Sequence, residues 1–384
     1  MNTSRRRFVR FGASAATAVV VTGSPLTGFS SGGTFEPFRL KQNDGFIRLN
    51  SNENAYGPPA NVVDAIKSAI GSANRYPRME YANLTERVAN SNHVKPEQVL
   101  FGCGSTEILR IAAFAFLGKG KQLIQASPTF EAVERYARAA GSEVSSVRLT
   151  PAFAHDLGGM LASPGDSTTL VYICNPNNPT ASLTPRKDLE NFIARLPAST
   201  FVLIDEAYHH YAGMSGTYTS FIDQPLDDER VVVARTFSKI YGLAGLRLGY
   251  AVGSPRTIQQ MRKFATEDNI NAVVTQAAAA ALDDTDGVRD SVRRNADDRQ
   301  EFFNQAMARA LKPIDSHANF VMMNTLHPAE EVIQHFRKNN ILIGRHFPPM
   351  DTYIRISLGR PEEMSAFWQT WDMLPYAKNL MHHH

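Results

Sequence analysis

The sequence contains little cysteine, little tryptophan and almost no net charge. Its 384 residues include 2 cysteines and 2 tryptophans, and 40 Lys plus Arg against 37 Asp plus Glu give a formal net charge of +3. Two cysteines, Cys103 and Cys174, are too few for a disulfide scaffold or for a zinc site with four cysteine ligands. Because so small a charge produces no broad basic surface, we do not expect nucleic acid as a partner. No uninterrupted apolar run reaches the ~18 residues of a membrane helix.

The overall composition is that of an ordinary globular protein. Apolar residues make up 43% of the chain and charged residues 20%, and the length allows one large domain or two moderate ones with proper cores. We therefore expect a soluble α/β enzyme. The histidines show no metal-ligand spacing, so we predict no metal site.

The first 33 residues differ from the rest of the chain. Arg5, Arg6 and Arg7 precede a short, weakly apolar segment at 11–21, which is followed by Gly, Ser and Pro. This pattern is typical of a secretory signal, and the paired arginines resemble the twin-arginine export signal. We expect a signal at 1–33 and a periplasmic or secreted protein without membrane contact after signal removal. A disordered basic tail or a single-pass anchor is the alternative, and without a signal the protein would be cytoplasmic.

Beyond the signal, short apolar runs alternate with helical stretches. Strands are predicted at 122–125, 168–173, 201–204 and 231–234, and helices at 105–116, 130–140 and 185–195. Such alternation indicates an α/β fold with a mostly parallel sheet covered by helices. After Pro255 helices dominate to about Leu311, and short strands are predicted at 319–323, 341–344 and 353–357. We therefore predict a large domain at 75–270 and a smaller α+β domain formed by 34–74 and 271–384.

Residues with side chains suited to catalysis or ligand binding follow the predicted strands. Lys239 comes soon after the strand at 231–234, and Arg247 lies eight positions further on. A buried lysine can have a lowered pKa and act as an amine nucleophile, and an arginine can hold a phosphate. Asp205 ends another strand, at the sheet edge where α/β proteins bind ligands. A surface lysine and an aspartate that caps a helix are the alternatives.

Two further segments fit the same sheet edge. The segment 102–107, Gly-Cys-Gly-Ser-Thr-Glu, opens an apolar helix, so its backbone N–H groups and the helix dipole can form a phosphate cup. Plain helix capping is the alternative there. The segment 175–180, Asn-Pro-Asn-Asn-Pro-Thr, makes a rigid turn that can aim one amide at a ligand.

The order of these motifs is more specific than any one of them. The chain resembles the fold-type-I pyridoxal-phosphate aminotransferases, and within them the histidinol-phosphate aminotransferase branch. The motifs that match the family lie at 49–58, 104–107, 175–180, 205–208, 235–247, 318–320 and 353–356. Together they span roughly Ile47 to Gly359, which is nearly the whole chain after the signal.

The resemblance implies a cofactor, pyridoxal 5'-phosphate, and a role for each matching residue. Lys239 forms the Schiff base and moves the substrate Cα proton, and Asp205 pairs with the pyridinium nitrogen. Tyr208 and Asn178 form hydrogen bonds with the 3-oxygen of the ring. Phe130 lies against the ring face. The residues implied for the cofactor phosphate are Gly104, Ser105, Thr106, Thr236, Ser238, Arg247 and, from the partner subunit of a homodimer, Tyr56. Cys103 and Cys174 are then expected as buried thiols near the cofactor, with a disulfide between them as the alternative.

The resemblance also implies a substrate site, although it does not identify the substrate. Arg355 matches the arginine that binds the substrate carboxylate, and Asn319 would support Arg355. Asn54 would line the opening of the same substrate site. In this branch an arginine near Arg345 receives the substrate phosphate, but an arginine there can also bind a side-chain carboxylate. The chain departs from the family at Ala181 and Ala55, where glycine and proline are usual. We assign no role to the segment 346–350.

The implied reaction is the transfer of an amino group between an amino acid or amine and a 2-oxo acid. Histidine biosynthesis is cytoplasmic, so the predicted export favours a paralogue with another amine substrate. Alternatives within the branch are a decarboxylase and an oxygen-using amino-acid oxidase. A non-catalytic protein that binds the cofactor or an amino acid is the alternative from a different class, but such a protein would need neither Lys239 nor Asp205.

Overall fold

The computed structural model describes residues 45–163 and 168–375. The predicted export signal lies outside these residues, and so do both ends of the predicted small domain. The division of the chain at residues 75 and 270 stays a prediction.

Twelve strands are present in the described residues. They are β1 Ile47–Leu49, β2 Val99–Gly102, β3 Gln122–Ser127, β4 Glu143–Arg148, β5 Thr168–Cys174, β6 Phe201–Asp205, β7 Val231–Thr236, β8 Gly249–Val252, β9 Lys312–Pro313, β10 Phe320–Asn324, β11 Ile341–Ile343 and β12 Tyr353–Ser357.

Twelve α-helices accompany the strands in the same residues. They are α1 Ala60–Ala69, α2 Arg78–Ser91, α3 Ser105–Phe116, α4 Ala132–Ala139, α5 Leu157–Ala162, α6 Arg186–Arg195, α7 His209–Ala212, α8 Pro255–Arg262, α9 Ala272–Asp283, α10 Thr285–Met307, α11 Ala329–Lys338 and α12 Pro361–Asp372. None of the helices described is both long and apolar enough to cross a membrane.

Seven strands form the central sheet in the order β2-β8-β7-β6-β5-β3-β4. The neighbours from β7 through β4 pair in parallel, whereas β8 runs antiparallel to both β2 and β7. The inner strand β7 is buried at every residue, because helices cover both faces of a parallel sheet. The predicted α/β class with a mostly parallel sheet is confirmed.

Separate apolar clusters lie on the two faces of this sheet. One cluster includes Val171 and Val233, with helices α1, α2, α6 and α9 against it. The other includes Leu170 and Val232, the neighbours of these residues on the same strands, and it packs on α3, α4 and α8. Adjacent strand residues point to opposite faces, so the unbroken apolar runs of the sequence fill both layers.

The C-terminal part of the chain forms a different, α+β arrangement. Strands β12, β10 and β9 make an antiparallel sheet, and β1 pairs in parallel with β11. Helices α10, α11 and α12 pack with these strands around Phe336, Phe367 and Trp371. Because β1 pairs with β11, residues 47–49 lie beside a strand of the C-terminal part of the chain.

Candidate active site

The carboxyl ends of β5, β6 and β7 meet at a cavity of 350 Å³. Eleven of the sequence-predicted site residues line it: Ser105, Thr106, Phe130, Asn178, Asp205, Tyr208, Thr236, Ser238, Lys239, Arg247 and Arg355. Parallel strands that end at one edge bring residues distant in sequence together, which is why Asn178, Asp205 and Lys239 share this wall.

One end of the cavity is suited to an anion. Gly104 precedes α3 with a φ of 79° and no side chain capping the helix, so the first N–H groups of the helix face this end without a competing cap. Arg247, itself left-handed at φ 62°, donates to the Ala244 carbonyl over 3.0 Å and contacts the Ser238 hydroxyl at 3.4 Å. A Cβ on Gly104 would collide with the Arg247 guanidinium. The close approach of helix and arginine therefore requires glycine at position 104.

A buried carboxylate lies at the floor of the cavity. Asp205 ends β6, accepts a hydrogen bond from the Tyr172 hydroxyl over 3.0 Å and another from the Ala207 N–H over 3.1 Å. Burial raises the pKa of Asp205 to about 6, against the lowering effect of these two donors. A cationic ring nitrogen placed here would restore the ionised form of the carboxylate.

Lys239 projects into the same cavity from the segment after β7. Its Nζ donates to the carbonyls of Asn52 over 2.9 Å and of Ser51 over 3.3 Å. Burial, followed by the positive charge of Arg355, lowers the pKa of Lys239 to about 8. An amine with such a pKa is neutral in an appreciable fraction of molecules near neutral pH, so it can act as a nucleophile and as a base.

A hydrogen-bonded group of side chains connects the cofactor wall to Arg355. The Tyr208 hydroxyl receives hydrogen bonds from Asn52 over 3.1 Å and from Asn178 over 3.5 Å. Arg355 donates in turn to Asn178 over 2.7 Å and to the Asn50 carbonyl over 2.8 Å. The Arg355 guanidinium is buried, and its Nε has no partner among the described residues. A ligand carboxylate is the group that such a buried guanidinium lacks.

Arg345 lies in a second cavity that adjoins the first. Its guanidinium is 4.2 Å from the centre of the Phe347 ring, and that of Arg355 is 4.7 Å from the same ring. Phe347 belongs to the segment 346–350, to which the sequence assigns no role. The segment therefore supplies an aromatic support for both arginines.

Two of the predicted substrate residues, Asn54 and Asn319, donate hydrogen bonds to backbone carbonyls. The Asn54 side chain donates to the Ile240 carbonyl over 3.0 Å, so it holds the backbone beside Lys239, and it does not line the first cavity. Asn319 donates to the carbonyls of Asn52 and Glu53 and makes no hydrogen bond to Arg355. Both amides thus satisfy buried backbone carbonyls, and their roles at the substrate stay predictions.

Tyr56 also lies away from the cofactor cavity of its own chain. Its hydroxyl contacts the Asp298 carboxylate at 3.1 Å, with Arg294 and Arg360 against its ring. Its predicted passage to a partner subunit stays a prediction. Cys174 is a buried free thiol at the cavity, whereas Cys103 is free but exposed, so the prediction of burial holds only for Cys174.

Sequence reasoning missed Asn52 and Tyr172. Asn52 is buried with a φ of 54°, and its backbone carbonyl and side chain contact Lys239 and Tyr208. Asparagine tolerates this left-handed conformation better than most residues. The asparagine at position 52 of the motif 49–58 is therefore the feature from which this conformation could have been predicted. Ala181, which replaces a glycine of the family, is also left-handed at φ 59°, and its carbonyl accepts from the His317 N–H over 2.8 Å.

The donor set of the first cavity fits pyridoxal 5'-phosphate. Hydroxyl, guanidinium and helix N–H groups at one end suit its phosphate, Asp205 suits its ring nitrogen, and Lys239 suits its aldehyde. The glycine at position 104, where a Cβ would displace Arg247, supports the same fit.

The comparisons with known proteins agree with this geometry. Residues 44–369 match the family described as aminotransferase class I and II. Histidinol-phosphate aminotransferase of Caldicellulosiruptor saccharolyticus is 34% identical over 84% of this chain and 89% of its own length. Histidinol-phosphate aminotransferase 2 of Carboxydothermus hydrogenoformans is 35% identical over 83% and 88%.

Solved structures extend the likeness to three dimensions. Histidinol-phosphate aminotransferase from Sinorhizobium meliloti, in complex with pyridoxal-5'-phosphate, has a TM-score of 0.80 at 28% identity, covering 86% of this chain and 90% of that one. L-threonine-O-3-phosphate decarboxylase from Porphyromonas gingivalis shares the fold with a TM-score of 0.74 at 22% identity over 85% and 98% of the two chains. The chain belongs to the class I and II aminotransferase family and is a fold-type-I pyridoxal-phosphate-dependent aminotransferase that resembles the histidinol-phosphate aminotransferases.

Proposed function

We propose that this aminotransferase takes its amino group from an amino acid or a related anionic amine, whose anionic end binds Arg355, and passes it to a 2-oxo acid. The observation that carries the proposal is the meeting of Lys239 and Arg355 in one cavity. Lys239 supplies a base with a pKa near neutrality, and Arg355 supplies a buried guanidinium with an unused donor.

Arg355 positions the substrate. Its two terminal nitrogens are held by Asn178 and the Asn50 carbonyl, so the plane of the guanidinium is fixed before a ligand arrives. A fixed plane favours bidentate binding of a carboxylate. The substrate Cα is thereby kept within reach of Lys239.

Lys239 moves the proton. Once its amine is free and neutral, Nζ can take the proton from the substrate Cα and return it at C4′ of the cofactor, on the other side of the substrate nitrogen. Such a general-base role typically contributes ~10²–10⁴ in rate. The carbonyls of Ser51 and Asn52 hold Nζ at one side of the cavity. When bound, pyridoxal phosphate supplies a ring that withdraws electrons from Cα. Asp205 keeps the ring nitrogen protonated, and Tyr208 with Asn178 offers donors to the ring oxygen.

The proposal includes a homodimer and export. The family resemblance implies that Tyr56 reaches the cofactor phosphate of the partner subunit, and the arginine-rich segment at residues 5–7 resembles a twin-arginine signal. Such a signal suits a protein that folds and binds its cofactor before transport. An exported enzyme would act on amines outside the cytoplasm, apart from histidine biosynthesis.

The first experiment is an absorbance spectrum of the cofactor-loaded protein under anaerobic conditions. Histidinol phosphate, L-glutamate and L-alanine are added separately. Conversion of the bound cofactor to pyridoxamine phosphate by any of them supports transamination, and the donor that converts it fastest identifies the preferred class. Lys239→Ala should abolish the conversion, and Lys263→Ala, an exposed lysine outside this cavity, should not.

The same assay separates the alternatives. A cofactor spectrum that no amine changes would contradict the proposal and leave a binding protein. Release of carbon dioxide without pyridoxamine phosphate would indicate a decarboxylase. When the assay is repeated in air, oxygen consumption coupled to amine loss would indicate an oxidase.

A further inference from the structure

The second cavity carries three arginines and one glutamate beyond Arg355. Its volume is 570 Å³, and its wall includes Arg135, Arg337, Arg345 and Glu131. It shares Arg355 with the cofactor cavity. A substrate whose amino-acid end lies at Arg355 therefore extends its side chain into this space.

The four charged groups are not equivalent. Glu131 Oε1 is 2.6 Å from Nη2 of Arg345, and both side chains are 53% exposed. Within the described residues, Arg135 of α4 and Arg337 of α11 have no carboxylate at ion-pair distance, and both are exposed. Three cations and one anion leave the distal part of the cavity with two positive charges in excess.

Arg345 is held in place independently of Glu131. Its Nη1 donates to the His346 carbonyl over 2.7 Å, and its guanidinium contacts the Phe347 ring. Departure of the Glu131 carboxylate would therefore leave the guanidinium oriented for another anion. Since half-exposed ion pairs contribute little to stability, that departure is easy.

We propose that Glu131 is a specificity-determining residue that occupies Arg345 until a substrate with a second, distal anionic group displaces it. Arg135 and Arg337 attract that group and hold it with Arg345. A neutral side chain leaves the Glu131–Arg345 pair intact, and a cationic side chain meets the excess positive charge. The inference rests on the proposed function, because it takes the amino-acid end of the substrate to lie at Arg355.

Equilibrium binding to the cofactor-loaded protein tests the inference without catalysis. Glutarate carries an anion at each end and no amine, and pentanoate replaces one carboxylate by a methyl group. We expect calorimetry to show that Glu131→Gln binds glutarate roughly threefold more tightly than the parent, since the competing ion pair is lost. Pentanoate affinity should not change. Arg345→Gln should weaken glutarate binding about tenfold, and adding Glu131→Gln to it should have no further effect.

Control ligands and a control variant make the result specific. Glu134→Gln removes the same charge three residues away, where the carboxylate pairs with Arg138 outside the cavity, and should leave glutarate affinity unchanged. Replacing glutarate by 4-phosphonobutanoate shows whether the distal anion is better matched by a carboxylate or by a phosphate group. Unchanged or weaker glutarate binding by Glu131→Gln would overturn the inference. Tighter binding of 4-guanidinobutanoate, whose distal group is a cation, than of glutarate by the parent protein would also overturn the inference.

The two proposals fail in different ways. If L-alanine converts the bound cofactor but Glu131→Gln has no effect on glutarate, the transaminase proposal stands and the role of Glu131 is wrong. If no amine converts the cofactor and glutarate binds as expected, the anion site stands without the proposed reaction.

Discussion

At the scale of single residues, the proposed role of Asp205 at the cofactor depends on a hydrogen bond from a residue outside the cavity. Tyr172 is fully buried and does not line the cavity, yet its hydroxyl donates to Asp205. A hydrogen bond to a carboxylate favours its ionised form, which is the form that pairs with a protonated ring nitrogen. Tyr172 is therefore a positioning residue for Asp205.

Tyr172→Phe removes this donor with little change in volume. We expect the dissociation constant of pyridoxal phosphate to rise roughly tenfold, because a hydrogen bond to a charged group is lost. A titration followed by cofactor absorbance measures it. Tyr241→Phe is the control, since its partly buried hydroxyl contacts His210 at 3.4 Å, and His210 does not line the cavity. Equal affinities in the two variants would show that Tyr172 only fills space.

The buried Asp205 also gives the cofactor-free protein a pH-dependent stability. Its pKa rises from 3.8 to about 6 on folding, so the folded state binds the proton more tightly than the unfolded state. The contribution of Asp205 to the free energy of unfolding is therefore largest at low pH and is lost as the pH rises to about 6. Asp205→Asn removes the charge while keeping the shape.

We expect Asp205→Asn to be more stable than the parent by roughly 3 kcal/mol at pH 7.5 in the absence of cofactor. The difference should shrink towards pH 4. Urea unfolding at both pH values measures it. Cofactor should reverse the order of stability, because the ring nitrogen pairs with the carboxylate. A stability difference independent of pH would show that Asp205 does not titrate in this range.

At the scale of elements, the start of helix α3 forms the anion end of the cavity. Gly104→Ala would place a Cβ against the Arg247 guanidinium and strain a residue with a φ of 79°. We expect the affinity for pyridoxal phosphate to fall by about a hundredfold as the arginine is displaced. Gly245→Ala is the control, because a Cβ there meets no atom within 4 Å. Cofactor titration of both variants tests the element directly, and equal affinities would mean that Arg247 does not hold the phosphate.

The elements with a clear apolar pattern were predictable from the sequence, because such patterns are local. Helix α3 and strand β12 have the predicted bounds, and β5 extends one residue beyond its prediction. The missed strand β4 pairs only with β3 at the edge of the sheet and lacks an apolar run. The antiparallel β2 and β8 were missed as well, since four-residue strands rich in glycine and aromatic residues give no clear period.

The site was predictable only in part, since different kinds of information define its residues. The motif residues predicted to bind a cofactor are recognisable from their order along the chain, and ten of them line a single cavity. The backbone carbonyls that the amides of Asn54 and Asn319 satisfy could not be predicted, because sequence does not reveal which carbonyl a buried amide contacts. The Glu131–Arg345 pair joins positions more than two hundred residues apart and has no sequence signal at all.

At the scale of the whole molecule, the proposed homodimer makes each site depend on two chains. Tyr56 contacts Asp298 of its own chain and does not reach the cavity of its own Lys239. If Tyr56 serves the partner's cofactor phosphate, a Tyr56→Ala chain and a Lys239→Ala chain can complement each other. In a hybrid dimer, the intact Lys239 of one chain meets the intact Tyr56 of the other.

Random mixing should then restore about a quarter of the parent activity, since half of the dimers of a twofold-symmetric protein are hybrids with one intact site each. The mixture is refolded from denaturant and assayed for transamination. Lys239→Ala mixed with Asp205→Ala is the control, because both side chains line one cavity of one chain and no hybrid site is intact. Recovery of activity in the first mixture but not in the control mixture establishes a shared site. Recovery in neither mixture means that Tyr56 acts only within its own chain, where its contact with Asp298 would be structural.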